Sequence, residues 1–274
     1  TPTTVTSGFL LFLFLTLFSI EVEEDKKLFQ FYFAERFRSI PYFLLGASLL
    51  FGGVVFYGVK GGYLAERAYV KSLDAVASDN LVSAYNELQE AIAKNPYLDD
   101  YHRAYAQVNL GIINGLSQKE DLTDDDKTTI QALINQVVRE ARILTENLSP
   151  SDSRNWALRG QIYRGLVGSA QDAETWAIGA YQQAVFLDPL NLYLRVNLGG
   201  IYYQLEDYDT AERIFRAAAQ LKPDFANARF NLAAALREQG KIDEARKELE
   251  ATKSLVEQDS LDAQRVEEEL EKLK

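Results

Sequence analysis

His102 is the only histidine in this 274-residue chain, and so the only side chain that changes charge near neutral pH at its ordinary pKa. It lies beside Tyr101 and close to Tyr105. Acid–base or nucleophilic catalysis needs a nucleophile, a base and an orienting group brought together, and no motif near His102 supplies them. The sequence has no Gly-rich phosphate loop and no nucleophile elbow. With no cysteine there is no disulfide, no thiolate chemistry and no zinc site built on sulfur. The densest acids, Asp121 to Asp126 within GLSQKEDLTDDDK, lack the alternating ligands and closing Glu of a calcium loop. Thr123 before three aspartates reads instead as a helix N-cap, with negative charge stacked on the positive end of the helix that follows, Lys127 to Asn147. We therefore expect these residues to form no active site and to hold no cofactor and no metal.

Net charge is −11, with 40 acidic against 29 basic residues. No block of Lys or Arg follows residue 72, so a nucleic-acid backbone is not an expected partner. The composition is 47% hydrophobic but unevenly spread, because the long apolar runs fall in the first sixty-odd residues. An anchor of 1–61 and a soluble domain of 62–274 follow from that asymmetry. The run GFLLFLFLTLFSI places a first membrane span at about 4–20, near the short limit for crossing a bilayer. The run PYFLLGASLLFGGVVFYGV places a second at 41–59, with Tyr42 and Tyr57 as interfacial aromatics. Its glycines suit a membrane helix, and Ser48 with Gly52 forms one small-xxx-small pair. Between them, Phe29, Phe33, Phe37 and Ile40 recur at helical spacing over 21–40, flanked by Lys26, Lys27, Arg36 and Arg38. This pattern fits a helix lying in the lipid interface or a plain helical hairpin. Those four bases outnumber Lys60, Arg67 and Lys71 by one, which tilts the soluble domain to the extracytoplasmic side. The chain has no Met and opens on Thr1-Pro2, so a processed product or a fragment of a longer chain is expected.

The soluble part contains an internal repeat. Asn197-Leu198-Gly199 aligns with Asn231-Leu232-Ala233, Ala211 with Ala245 and Phe215 with Leu249, each 34 residues apart. Small residues at Gly199, Ala211, Ala233 and Ala245 mark where two antiparallel helices cross, and Pro223 closes the earlier unit. On these residues the chain resembles the tetratricopeptide repeat (TPR) family. Units are expected at about 63–97, 98–150, 151–189, 190–223 and 224–257, with a polar-faced cap at 258–274 carrying Val266, Leu270 and Leu273. The third unit carries about five extra residues near 165–173, and Trp156 falls at its expected aromatic packing position. The fold class that follows is all-α: a solenoid of about five TPR-like helix pairs and a capping helix, preceded by two transmembrane helices.

The resemblance implies a concave groove lined by the first helix of each unit. Its expected lining is Arg154, Gln161 and Arg164, then Tyr193, Asn197 and Tyr203, then Asn227, Phe230, Asn231 and Arg237. Asn side chains there can bracket a peptide backbone, and Arg can meet a carboxylate. The Lys residues of the family's carboxylate clamp are absent, so a clamp of that kind is not expected. The segments NPYLDDYHRAYAQVNL, DLTDDDK, NWALRGQIYRGLVGSAQDAETWAIGAYQQAV and LDPLNLYLRVNLGGIYY also make 41–257 look like the C-terminal region of bacterial multi-pass proteins that join an O-antigen-ligase-like membrane domain to TPRs. That likeness implies a bacterial inner-membrane location. The expected function is a membrane-anchored scaffold that binds a protein or peptide in its groove and touches lipid through its spans. The alternatives are an accessory region of a larger glycan-assembly protein and a self-assembling structural component that forms a homo-oligomer.

Overall fold

The structure, a computed structural model, describes residues 40–273. The expected first span at 4–20 and the aromatic, basic segment 21–39 lie outside the described residues, as do the side chains of Ile40, Pro41, Tyr42 and Tyr57. The described residues form eleven α-helices and no strand. In chain order they are α1 Ile40–Ala77, α2 Leu81–Lys94, α3 Asp99–Ser117, α4 Asp124–Arg142 and, after a π-helical turn at Ile143–Leu148, α5 Ser153–Gly165. They continue as α6 Ala173–Leu187, α7 Leu192–Gln204, α8 Tyr208–Leu221, α9 Ala226–Glu238, α10 Ile242–Lys253 and α11 Leu261–Glu271.

By contact the chain divides between Tyr57 and Gly58 into two compact units. In the first, the described stretch of α1 is apolar all round, with Phe43, Leu49, Leu50, Val54 and Phe56 exposed. A helix exposed and apolar on every side has no soluble core to face. Among the described residues one helix, Phe43–Ala77, is long and apolar enough to cross a membrane by length and composition. Nothing lies within 4 Å of where a Cβ on Gly52 would sit.

The second unit is a run of antiparallel helix pairs, and the reason is legible in its small residues. A Cβ at Gly160 would sit 2.9 Å from the Tyr181 ring, and one at Gly199 would sit 2.5 Å from the Phe215 ring. Real Cβ contacts are looser than that, so glycine at these crossings lets α5 meet α6 and α7 meet α8 closely enough to bury the rings. The next pair makes the same crossing with Ala233 and Leu249, both buried. Ala177, Ala211 and Ala245 are fully buried at the facing positions, where a larger side chain would overpack the crossing. In the earliest part, Gly61 and Gly62 do not break α1, which runs helically through both. Ala65 and Ala68 pack with Ala91 and Tyr101 there. At the far end Val266 and Leu273 are buried, and Leu270 packs against the cluster of Leu232, Leu236 and Leu249.

Turn chemistry supports the register. Asn80, Asp152, Asn191, Asp207 and Ser260 each accept a backbone N–H at a helix start, satisfying donors that a helix leaves open. The expected N-cap at Thr123 is a full capping box: its side chain accepts from Asp126 N–H and the Asp126 carboxylate accepts from Thr123 N–H. The extra residues of the third unit form the α5–α6 connection, where Gly168 has φ +81° and Asp172 has φ +58°.

Candidate functional site

Helices α3, α4, α5 and α7 all contribute to one cleft, and residues three or four apart share one helix face. That periodicity puts Gln107, Gly111 and Asn114 of α3, Arg154, Gln161 and Arg164 of α5, and Asn197 and Gln204 of α7 around one cleft of about 1230 Å³. Ile134 and Val137 of α4 close the side behind α3. In a chain with 40 acidic residues, no Asp or Glu lines this cleft, while three arginines do: Arg103, Arg154 and Arg164.

The three arginines differ in what they already hold. Arg103 donates to Asp99 at 2.8 Å, to Asp152 at 3.3 Å, to Asn155 at 3.0 Å and to Asp100. Its charge is consumed by three carboxylates. Arg154 donates to Asp152 at 2.7 Å, and the Arg154 hydrogen bonds hold the Asp152 carboxyl below the usual range. Arg164 has no carboxylate partner among the described residues. Its Nε donates to Gln204 Oε1 at 3.0 Å, and a Cβ on Gly200 would meet its guanidinium at 3.1 Å. The Tyr181 hydroxyl has a pKa raised by burial and partly pulled back by the Arg164 charge. Arg164 is thus the uncompensated cation of the cleft.

The remaining sequence candidates fall elsewhere. Asn227, Phe230 and Asn231 line a second, smaller depression of about 260 Å³ with Thr252 and Arg265. There Asn231 Nδ2 donates to Asn227 O at 2.7 Å and Asn227 Oδ1 at 2.6 Å, so the Asn231 donor is already engaged by Asn227. Tyr193, Tyr203 and Arg237 line neither hollow. Tyr193 is 64% exposed and sets its ring edge-on to Phe225 at 5.0 Å. Tyr203 meets Tyr208 edge-on at 5.3 Å, and Arg237 pairs with Glu238 and with Glu269 of the capping helix.

Two buried arginines were not visible as site or core residues from the sequence. Arg103 could have been found from Asp99 and Asp100 one helical turn before it, the spacing of a helix ion pair. Arg159 gave no local signal. It lies 5.4 Å from the Trp176 ring centroid, 5.5 Å from that of Trp156 and 5.8 Å from that of Tyr163, and donates to Thr145 and Glu146 of the π-helical turn. Trp156 donates its indole N–H to Pro150 O at 2.7 Å. His102 is 4% exposed and packed between Glu140 and Pro96. Among the described residues, no group of three His, Cys, Asp or Glu is placed to hold a metal ion.

These paired helices, crossing at small residues and stacked around a shared cleft, define a TPR-like α-solenoid. Residues 176–224 and 202–268 each match a model of the tetratricopeptide repeat, so this stretch carries TPRs. Protein SULFUR DEFICIENCY-INDUCED 2 of Arabidopsis thaliana is 43% identical over 85 residues, which are 31% of this chain and 28% of that protein. Solved structures share the fold at low identity. A thermophilic TPR protein of Thermus thermophilus is 17% identical with TM-score 0.54, covering 76% of this chain and 98% of that one. MamA is 15% identical with TM-score 0.54, covering 71% and 92%. PilW, a type IV pilus biogenesis factor, is 14% identical with TM-score 0.54, covering 76% and 85%.

Proposed function

We propose that this chain is a protein-binding scaffold that holds an extended, acidic peptide in the cleft between α3, α5 and α7, with 41–59 as its membrane tether. The observation that carries the reading is charge segregation: a strongly acidic chain leaves this hollow free of carboxylates and points the unpaired Arg164 into it. Gln107, Asn114, Gln161 and Asn197 supply the amide donors and acceptors that an extended backbone needs. Arg164 supplies a charge-assisted anchor for one carboxylate. Arg154 and Arg237 are given a structural role instead, because Asp152 and Glu269 already hold them.

The test uses the full chain in detergent and two fluorescent peptides of equal length, one rich in Glu and one rich in Lys. The acidic peptide is expected to bind more tightly, and Arg164→Ala to weaken it by about tenfold, the loss of one charge-assisted contact. Equal affinity for both peptides, or an Arg164→Ala variant that binds as before, overturns the reading. The tether is supported by the exposed apolar surface of α1, and deleting 1–59, which removes both apolar runs, is expected to release the chain from membranes. An accessory role in a larger glycan-assembly protein rests on the resemblance of 41–257 alone; an upstream multi-pass coding sequence in frame with this chain is the observation that favours it.

A further inference from the structure

His102 sits where three elements meet: it is on the first turn of α3, its Nδ1 lies 2.6 Å from Glu140 Oε2 on α4, and its Nε2 lies 3.0 Å from Pro96 O in the α2–α3 turn. Both ring nitrogens therefore face acceptors. A neutral imidazole carries one N–H, so either tautomer leaves a lone pair against an oxygen: the carboxylate in one case, the carbonyl in the other. Only the imidazolium donates to both. His102 and Glu140 are each nearly fully buried, so a mismatch there is not relieved by water.

We propose that His102, held as an imidazolium between Glu140 and Pro96, is a proton-dependent latch that locks α3 to α4 and to the preceding turn, and that losing its proton loosens this wall of the cleft. The wall follows from position, since α3 carries Gln107, Gly111 and Asn114 and α4 carries Ile134 and Val137 on the same cleft. The charged groups that face the ring are Glu140 of α4 and Asp99 of its own helix. Arg139 meets the other Glu140 oxygen at 3.5 Å. Burial opposes the charge, but the hydrogen bonds to Glu140 and Pro96 and the charges of Glu140 and Asp99 outweigh it, so the pKa is raised above its ordinary 6.5. Because the folded value is the higher one, the latch contributes in full below 6.5 and is lost as pH rises through the folded value. Its release is thus on the alkaline side, opposite to a histidine that is buried neutral.

The single histidine makes the test direct. The full chain, labelled with 15N-histidine in detergent micelles, is expected to show both ring nitrogens protonated below its titration midpoint, and that midpoint above 6.5. Amide protection of α3 and α4 should fall as that midpoint is crossed, while α8 to α10 keep theirs. Glu140→Gln should lower the midpoint by removing the carboxylate but keeping an acceptor. A neutral ring at pH 6.5, a midpoint at or below 6.5, or α3–α4 protection unchanged across the titration overturns the latch. None of these readouts needs a bound peptide, so the latch can fail or stand apart from the proposed cleft ligand.

Discussion

Glu206 has φ +61°, in the left-handed region, at the α7–α8 turn; one repeat later, the equivalent turn uses Gly240 at φ +74°. A non-glycine residue there costs about 1–2 kcal/mol because its Cβ crowds the following carbonyl. Glu206 is exposed, and its backbone N–H already closes the turn on Tyr203 O at 3.0 Å, so glycine would keep the geometry. Part of the relief is offset, since glycine also frees the unfolded chain by about 0.4–1 kcal/mol. Glu206→Gly is expected to stabilise the domain by about 0.5–1 kcal/mol in denaturant melts, and a lower midpoint would show that the Glu206 side chain makes a contribution the turn geometry does not reveal. The same scale separates what the sequence disclosed from what it hid. Gly199 and Ala233 announced themselves because a crossing tolerates only small residues. Arg159 did not, because the rings of Trp156, Tyr163 and Trp176 come together only once the α5–α6 connection has folded.

Helix starts and connections carry the next level of information. The α4 N-terminus was legible because a cap and its acids are contiguous in sequence, and Thr123 with Asp126 forms the box that pattern implies. The π-helical turn that follows α4 was not, since Ile143–Leu148 continues the same apolar periodicity and the wider turn shows itself only where Arg159 meets Thr145 and Glu146. The groove was half legible for the same reason. Arg154, Gln161, Arg164 and Asn197, grouped by periodicity, line one cleft, but periodicity could not see that Asn227 and Asn231 bond each other or that Arg237 is held by the capping helix. At the α4 start, Thr123→Ala removes the side-chain acceptor for Asp126 N–H and is expected to destabilise the helix by about 1 kcal/mol. The Asp126 carboxyl is lowered from 3.8 to about 2, first by the Lys119 hydrogen bond and then by the Thr123 hydroxyl and N–H. A depressed carboxyl supports the fold above its unfolded value, so the α4 start should keep its amide protection above 3.8 and fray as pH falls toward about 2. Thr123→Ala should show that fraying at neutral pH, and unchanged exchange at Asp124 to Lys127 would count against the cap.

Across the whole second unit, each helix pair touches chiefly its neighbours, and stability in such an array is close to a sum of unit and interface terms. The capping helix α11 illustrates this: Val266 and Leu273 are buried against the α9 and α10 residues Leu232, Leu236 and Leu249, and Arg246 donates to Leu273 O. An Asp at Val266 places an unpaired charge in that contact, a change that costs about 3–5 kcal/mol where the contact survives. The cap has a cheaper escape, which is to undock, because only α9 and α10 hold it. Val266→Asp is therefore expected to strip amide protection from α11, weaken it in α10 and to a lesser degree in α9, and leave α3 to α5 as they were. The cleft lies between α3 and α7, so binding there should survive the same substitution. Hydrogen exchange mapped along the chain decides the matter: a uniform loss from α3 to α11 would mean that the solenoid opens as one cooperative block, and the nearest-neighbour account, with its separation of cap from cleft, would have to be abandoned.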